Sequence, residues 1–211
     1  MISISHIILS LILLSIIFAL NSSRLKILVG IMFFQGVLLS SLPLFSSEAF
    51  SVESVFFAIF TLSVKGFLIP YILFLTLEKV VQKKEMEPTI GYNHSMLIGL
   101  FIIIISVFLS KKIHFPLDAP LLTVTAFSVI FTGMFLLIAR RKTITQIIGY
   151  LMMENGIYLT GLALMHKSRH LMEIGVLLDV LVGVMLMVFV LMKINSIFKD
   201  INTKNLKKLR D

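Results

Sequence analysis

The chain is written as long apolar runs separated by short polar breaks. Seven runs stand out, at positions 2–20, 25–45, 54–77, 96–109, 120–139, 144–165 and 173–193. A helix that crosses a bilayer needs about 20 mostly apolar residues, and six of the runs approach or reach that length, whereas 96–109 falls short. No ten-residue stretches of alternating polarity mark a β-barrel, and unpaired backbone groups are not tolerated in lipid. The pattern therefore predicts an all-α integral membrane protein with about seven transmembrane helices.

Charge sets the orientation. Lys and Arg concentrate in loops on the cytoplasmic side of a membrane. Arg24 and Lys26 follow the first run, Lys79, Lys83 and Lys84 the third, and Arg140, Arg141 and Lys142 the fifth. The tail carries Lys193, Lys199, Lys204, Lys207, Lys208 and Arg210. The opposite side has only Lys111, Lys112, Lys167 and Arg169. This bias predicts an N-terminus outside and a C-terminus in the cytoplasm. The first run has no basic residues before it and no small-residue cleavage site, so it is expected to be a retained span rather than a signal peptide. The tail is basic and has apolar Ile194, Ile197, Phe198 and Ile201 near helical spacing. It suits docking on lipid headgroups or a cytoplasmic partner, and equally a snorkelling helix end that enforces topology.

Composition narrows the function classes. Of 211 residues, 58% are hydrophobic and 14% charged, against about a quarter charged in a soluble domain. The net charge of +8 sits at helix ends and in the tail, so nucleic acid is not an expected partner. With no cysteine, a disulfide, an iron–sulfur cluster and a cysteine zinc site are excluded. His6, His94, His114, His166 and His170 are scattered and give no metal-ligand spacing. No phosphate-binding loop, dinucleotide fingerprint, HExxH or GxSxG is present. No cofactor or metal is expected, and no catalytic residue.

The chain also resembles itself. RLKILVGIMFFQGVLLSSLPLF from Arg24 aligns with TITQIIGYLMMENGIYLTGLAL from Thr143, matching Gly30 with Gly149 and Gln35 with Glu154. Both segments leave a basic loop. Each is followed by a short outer loop and a span with one central ionisable residue, Lys65 or Asp179. Two three-helix units in the same orientation, joined by one helix, account for this; chance similarity of apolar helices is the alternative. Repeats of this kind are common in transporters, whose sites lie between the copies.

Ionisable residues at membrane depth carry the functional signal, because a charge at mid-span costs at least about 2.5–3.5 kcal/mol on insertion scales. Lys65 lies in FTLSVKGFLIPYILF, where Pro70 frees backbone carbonyls and permits a kink. Glu154 lies in IGYLMMENGIYLTG, with Tyr150 and Tyr158 four residues to either side on its face. Asp179 lies in EIGVLLDVLVGVML, between Gly175 and Gly183, small residues that let another helix approach. These three are the candidates for a proton or ion relay. Gln35 and the two tyrosines are accessory candidates, as is Glu173, nearer the outer end of the seventh run. For each deep residue the competing reading is a static ion pair or hydrogen bond that locks helices together.

The stretches QIIGYLMMENGIYLTGLAL, LMEIGVLLDVLVGVMLMVFVLMKIN and INTKNLKKLRD closely resemble the hydrogenase-4 membrane component E family, and VKGFLIPYIL resembles that family's first half. The segments cover roughly half the chain. The resemblance implies a membrane subunit of a complex I-like, group 4 [NiFe]-hydrogenase or formate hydrogenlyase assembly. Its partners would be other membrane-arm subunits, antiporter-like ones among them, together with a peripheral [NiFe]-hydrogenase arm and lipid. The family is similar to the three-helix K subunit of complex I, which has a carboxylate in its second helix and another in its third. By position Glu154 and Asp179 match these, whereas Gln35 and Lys65 stand at the corresponding places of the first half and depart from the pattern.

The expected organisation is a first three-helix membrane repeat over 1–80 and a cytoplasmic loop and linking helix over 81–115. A second repeat over 116–195 and a basic cytoplasmic tail over 196–211 complete it. The function this implies is that of a non-redox subunit in the bacterial or archaeal cytoplasmic (inner) membrane. It would contribute buried charges to proton or sodium translocation driven by electron transfer elsewhere. Two alternatives stay open at this level: a component of an Mrp-type cation/proton antiporter, and a purely structural bridge between subunits.

Overall fold

A computed structural model describes residues 2–46, 52–78, 89–113 and 120–164. The expected seventh span, the tail, Asp179 and Glu173 lie outside the described residues. The described residues contain no strand, and six helical stretches are long and apolar enough to cross a membrane. They are α1 (Ile2–Asn21), α2 (Leu25–Ser46), a composite third span, α5 (Tyr92–Lys112), α6 (Pro120–Ala139) and α7 (Thr143–Leu164). The third span joins α3 (Val52–Thr61), a π-helical segment (Leu62–Leu68) and α4 (Ile69–Glu78).

The apolar runs place these helices to within a few residues, except that α5 extends beyond the run at 96–109. Its first and last turns carry Tyr92, Asn93, His94 and Ser95, then Lys111 and Lys112, polar residues that apolar counting trims. Lysines at the end can reach water or headgroups, whereas Ser95 is buried and its hydroxyl donates to the Gly91 carbonyl at 3.0 Å.

Four helices make the centre. α1 packs on α2 and α6, and α7 packs on α2 and α6. α5 lies outside this ring against α1 and α6, and the third span lies against α2. The α6–α7 contact is the most extensive. A Cβ added to Gly133 would strike the Met153 amide nitrogen, one on Gly149 would come within 2.9 Å of the Gly133 carbonyl, and one on Gly156 within 2.9 Å of the Ala126 carbonyl. Backbone thus meets backbone along this crossing, the close approach that small residues allow in membranes. The apolar side chains that fill the ring include Ile12, Ile16, Leu28, Leu39, Val129, Leu136, Ile148 and Leu159, all buried.

The π-helical segment has a local cause. Pro70 has no N–H and its ring crowds the preceding turn. The helix before it widens, and the Ile69 amide donates to the Val64 carbonyl five residues back. A seven-residue π-segment is long for a class seen mostly as single-turn bulges, often at functional sites. Lys65 is at its middle. A Cβ on Gly36 of α2 would land on the Lys65 carbonyl, so this widened turn is seated directly on the α2 backbone.

One basic loop residue differs from its expected role. Arg140, counted among the charges that set topology, is 2% exposed. Its Nη2 donates to the Leu20 carbonyl at 2.8 Å and its Nη1 to the Ile90 carbonyl at 3.3 Å, and the guanidinium lies 4.5 Å from the Tyr92 ring centroid. Arg140 ties the C-terminal ends of α1 and α6 to the N-terminal end of α5. The planar fork of donors and the negative ends of two helix dipoles favour Arg here. Truncation to Ala would leave both carbonyls without this donor. Arg140→Ala is expected to lower stability by about 2 kcal/mol, read as a lower melting temperature in detergent, and Arg140→Lys to recover only part of it.

Candidate functional site

Three mid-span helices and one neighbour bring polar side chains into the apolar interior. Lys65 comes from the π-segment, Glu154, Asn155 and Tyr158 from α7, Gln35 from α2 and Ser15 from α1. Lys65, Glu154, Asn155, Gln35 and Ser15 are each at most 5% exposed. Lys65 Nζ donates to Asn155 Oδ1 at 3.3 Å. Asn155 Nδ2 donates to Gln35 Oε1 at 3.3 Å, and Gln35 Nε2 donates to Ser15 Oγ at 2.7 Å. Ser15 Oγ donates in turn to the Ile12 carbonyl at 2.6 Å.

The chain has a direction, and chemistry fixes it. An ammonium donates and has no acceptor, so Asn155 must present its oxygen to Lys65. Its nitrogen is then turned to Gln35, whose oxygen accepts and whose nitrogen faces Ser15. Both amide dipoles consequently point their negative ends toward Lys65. The ring of Tyr158 also faces the ammonium, with its centroid 4.9 Å from Nζ, a favourable cation–π distance. This is how a charge is held at a depth where lipid would exclude it.

Lys65 and Glu154 line one small cavity with Met32, Ile69, Leu151 and Asn155. It has about 10 Å³ of water-accessible space, room for about one water molecule. An ammonium and a carboxyl group, brought from different helices, therefore border the same small space. Such a pair can hold or exchange a proton. Among the described residues, no group of three or more His, Asp or Glu is placed to hold a metal ion.

The sequence candidates divide accordingly. Lys65, Glu154, Gln35 and Tyr158 converge on one place. Tyr150, four residues before Glu154, is half-buried against the apolar core and is not part of the cavity wall. Asp179 and Glu173 lie outside the described residues. Sequence reasoning did not single out Asn155 and Ser15. Asn155 sits beside Glu154 in the Glu-Asn-Gly element, and a second polar residue adjacent to a buried carboxyl was the signal available for it. Ser15, a lone serine in an apolar run, gives none.

The chain is similar to hydrogenase-4 component E. The Escherichia coli K12 protein of that name is 25% identical over 148 residues, which cover 69% of this chain and 68% of the relative. The Shigella flexneri protein of the same name matches equally. An uncharacterized protein of Mycobacterium tuberculosis is 24% identical over 193 residues, covering 89% of this chain and 87% of its own. No family model matches the chain, and no solved structure matches it. The six apolar helices and the similarity to a hydrogenase component agree with the sequence reading of a multi-pass membrane protein.

Proposed function

We propose that this chain is a non-redox membrane-arm subunit of a complex I-like energy-converting hydrogenase or formate hydrogenlyase. Its buried charges take part in proton or sodium translocation coupled to electron transfer in a partner arm. The observation that carries the reading is the meeting of Lys65 and Glu154 at one small cavity between α2, the third span and α7. Charges are expensive there, and the pair is supported by an ordered polar chain rather than left to lipid. Similarity to hydrogenase-4 component E supports the assembly. Asp179 joins Lys65 and Glu154 as the third relay candidate on its sequence position alone.

In this reading the chain does no redox chemistry. The ammonium of Lys65 and the carboxyl of Glu154 hold charge, and translocation follows when the balance between them is changed by neighbouring subunits. Other membrane-arm subunits, antiporter-like ones among them, would extend the path, and a peripheral [NiFe]-hydrogenase arm would drive it. The seven-span count, the N-terminus outside and the C-terminus in the cytoplasm belong to the same proposal. So do the two three-helix units, over 1–80 and 116–195. The packing of α1 on α6 and of α2 on α7, helices at matching places in the two units, supports the repeat.

Glu154→Gln is the direct test. The amide keeps the shape of the side chain and removes its charge. The complex is expected to assemble and transfer electrons, while ions moved per electron pair fall by about tenfold or more, a modest share of what a positioned proton-transfer group contributes. Full pumping by this variant would overturn the relay role of Glu154.

A further inference from the structure

We infer that Asn155 is a positioning residue for Lys65: it holds the ammonium at the shared cavity beside Glu154 through a one-way amide chain anchored on α1. The inference rests on the proposed relay and deepens it.

Lys65 hangs from a widened helical turn, and its side chain has four rotatable bonds. Left to itself such a side chain samples many positions, and fixing it costs up to about 2 kcal/mol of rotamer freedom. Asn155 removes that freedom at the reacting end. Its Oδ1 is 3.3 Å from Nζ, and its own orientation is held by Gln35. Gln35 is held by Ser15, whose hydroxyl is tied to the α1 backbone. The chain therefore transmits a fixed position from α1, across α2 and α7, to the third span. Glu154 and Asn155 are consecutive on α7, so the group that positions the lysine and the carboxyl that borders its cavity move as one body.

The chain also has a consequence for the route. Asn155 and Gln35 are amides and offer no dissociable proton at ordinary pH. The Ser15 side therefore offers no dissociable amide proton to Lys65, whereas Glu154 of α7 shares its cavity and the Tyr158 ring faces its ammonium.

Asn155→Asp tests this without stranding a buried group. Asp accepts from Lys65 as Asn does. Gln35 can turn its amide to donate to the new carboxylate, and Ser15 can then donate to the Gln35 oxygen. Every polar atom in the chain keeps a partner. A residue that merely supports the fold would tolerate the change. The intact complex carrying Asn155→Asp is expected to assemble and transfer electrons normally. Ions moved per electron pair should fall about tenfold, and the pH profile of translocation should be displaced, since a second carboxyl group then borders Lys65. Asn155→Gln, a conservative amide, should recover part of the stoichiometry with the original pH profile. Normal stoichiometry with a superimposable pH profile in Asn155→Leu, which offers Lys65 no acceptor, would overturn the positioning role, and the same result in Asn155→Asp would overturn the need for an uncharged amide. If Glu154→Gln also pumps fully, the relay reading itself fails; if Glu154→Gln is impaired and Asn155→Leu is not, only the role of Asn155 fails.

Discussion

Lys65→Met is expected to abolish coupled ion movement while electron transfer in the assembled complex continues, and to destabilise the chain by about 2 kcal/mol or more. The destabilisation has a specific origin. Met fills the space of the lysine stem but cannot donate, so Asn155 Oδ1 loses the donor that set its orientation. A buried acceptor left without its donor costs about 1–3 kcal/mol. Glu154 also loses a cation at the cavity they share. The double variant Lys65→Met with Glu154→Gln removes charge of both signs together. It is expected to be more stable than the sum of the single effects by about 1 kcal/mol, the scale of coupling between residues in one polar network. Melting temperatures of the four proteins in detergent give the cycle, and proton or sodium uptake in proteoliposomes containing the complex gives the function. Additive stabilities would mean that the two groups do not interact across the cavity. Undiminished ion movement in Lys65→Met would remove Lys65 from the relay.

Gly133→Leu is the second large effect, and it acts through backbone. The first atom of any side chain at this position falls on the Met153 amide nitrogen and near the Gly149 carbonyl. Neither is the end of a flexible side chain, so α6 and α7 must separate. This is the most extensive helix–helix contact among the described residues, and without water there is no hydrophobic force in lipid to close the gap again. A loss of about 3 kcal/mol or more is expected, at the upper end of overpacking effects, seen as poor yield or early aggregation on heating. Gly30→Leu is the control. A Cβ there meets nothing within 4 Å, and its effect should stay within about 0.5 kcal/mol. Equal damage from the two would show that the tight α6–α7 crossing is not what holds these helices.

Gly30 also bears on the proposed internal repeat. Gly30 and Gly149 align in sequence, yet Gly30 faces open space and Gly149 is pressed against Gly133. Gln35 and Glu154 align as well. Both are buried near mid-helix, but Gln35 takes part in the amide chain and Glu154 borders the cavity. The aligned positions therefore stand in different surroundings.

What the sequence determined by itself was the class and the depth of charge. Apolar runs of sufficient length dictate helices, because lipid supplies no hydrogen bonds to an open backbone. The same rule marks Lys65 and Glu154 as residues that need a reason to be where they are. Pro70 forecast a disturbed helix from the missing N–H alone. What only the tertiary structure decided was which polar residues meet. Lys65 and Asn155 are separated by 90 positions and Gln35 and Asn155 by 120, and no local pattern encodes such pairings. Arg140 shows the same limit from the other side: in the sequence it is one more basic loop residue, and only the packing of α1, α5 and α6 around it buries the guanidinium. Hydropathy reports the solvent each segment prefers, whereas the partner of a buried polar group depends on helix rotation and crossing, set here by where glycine lets backbones touch.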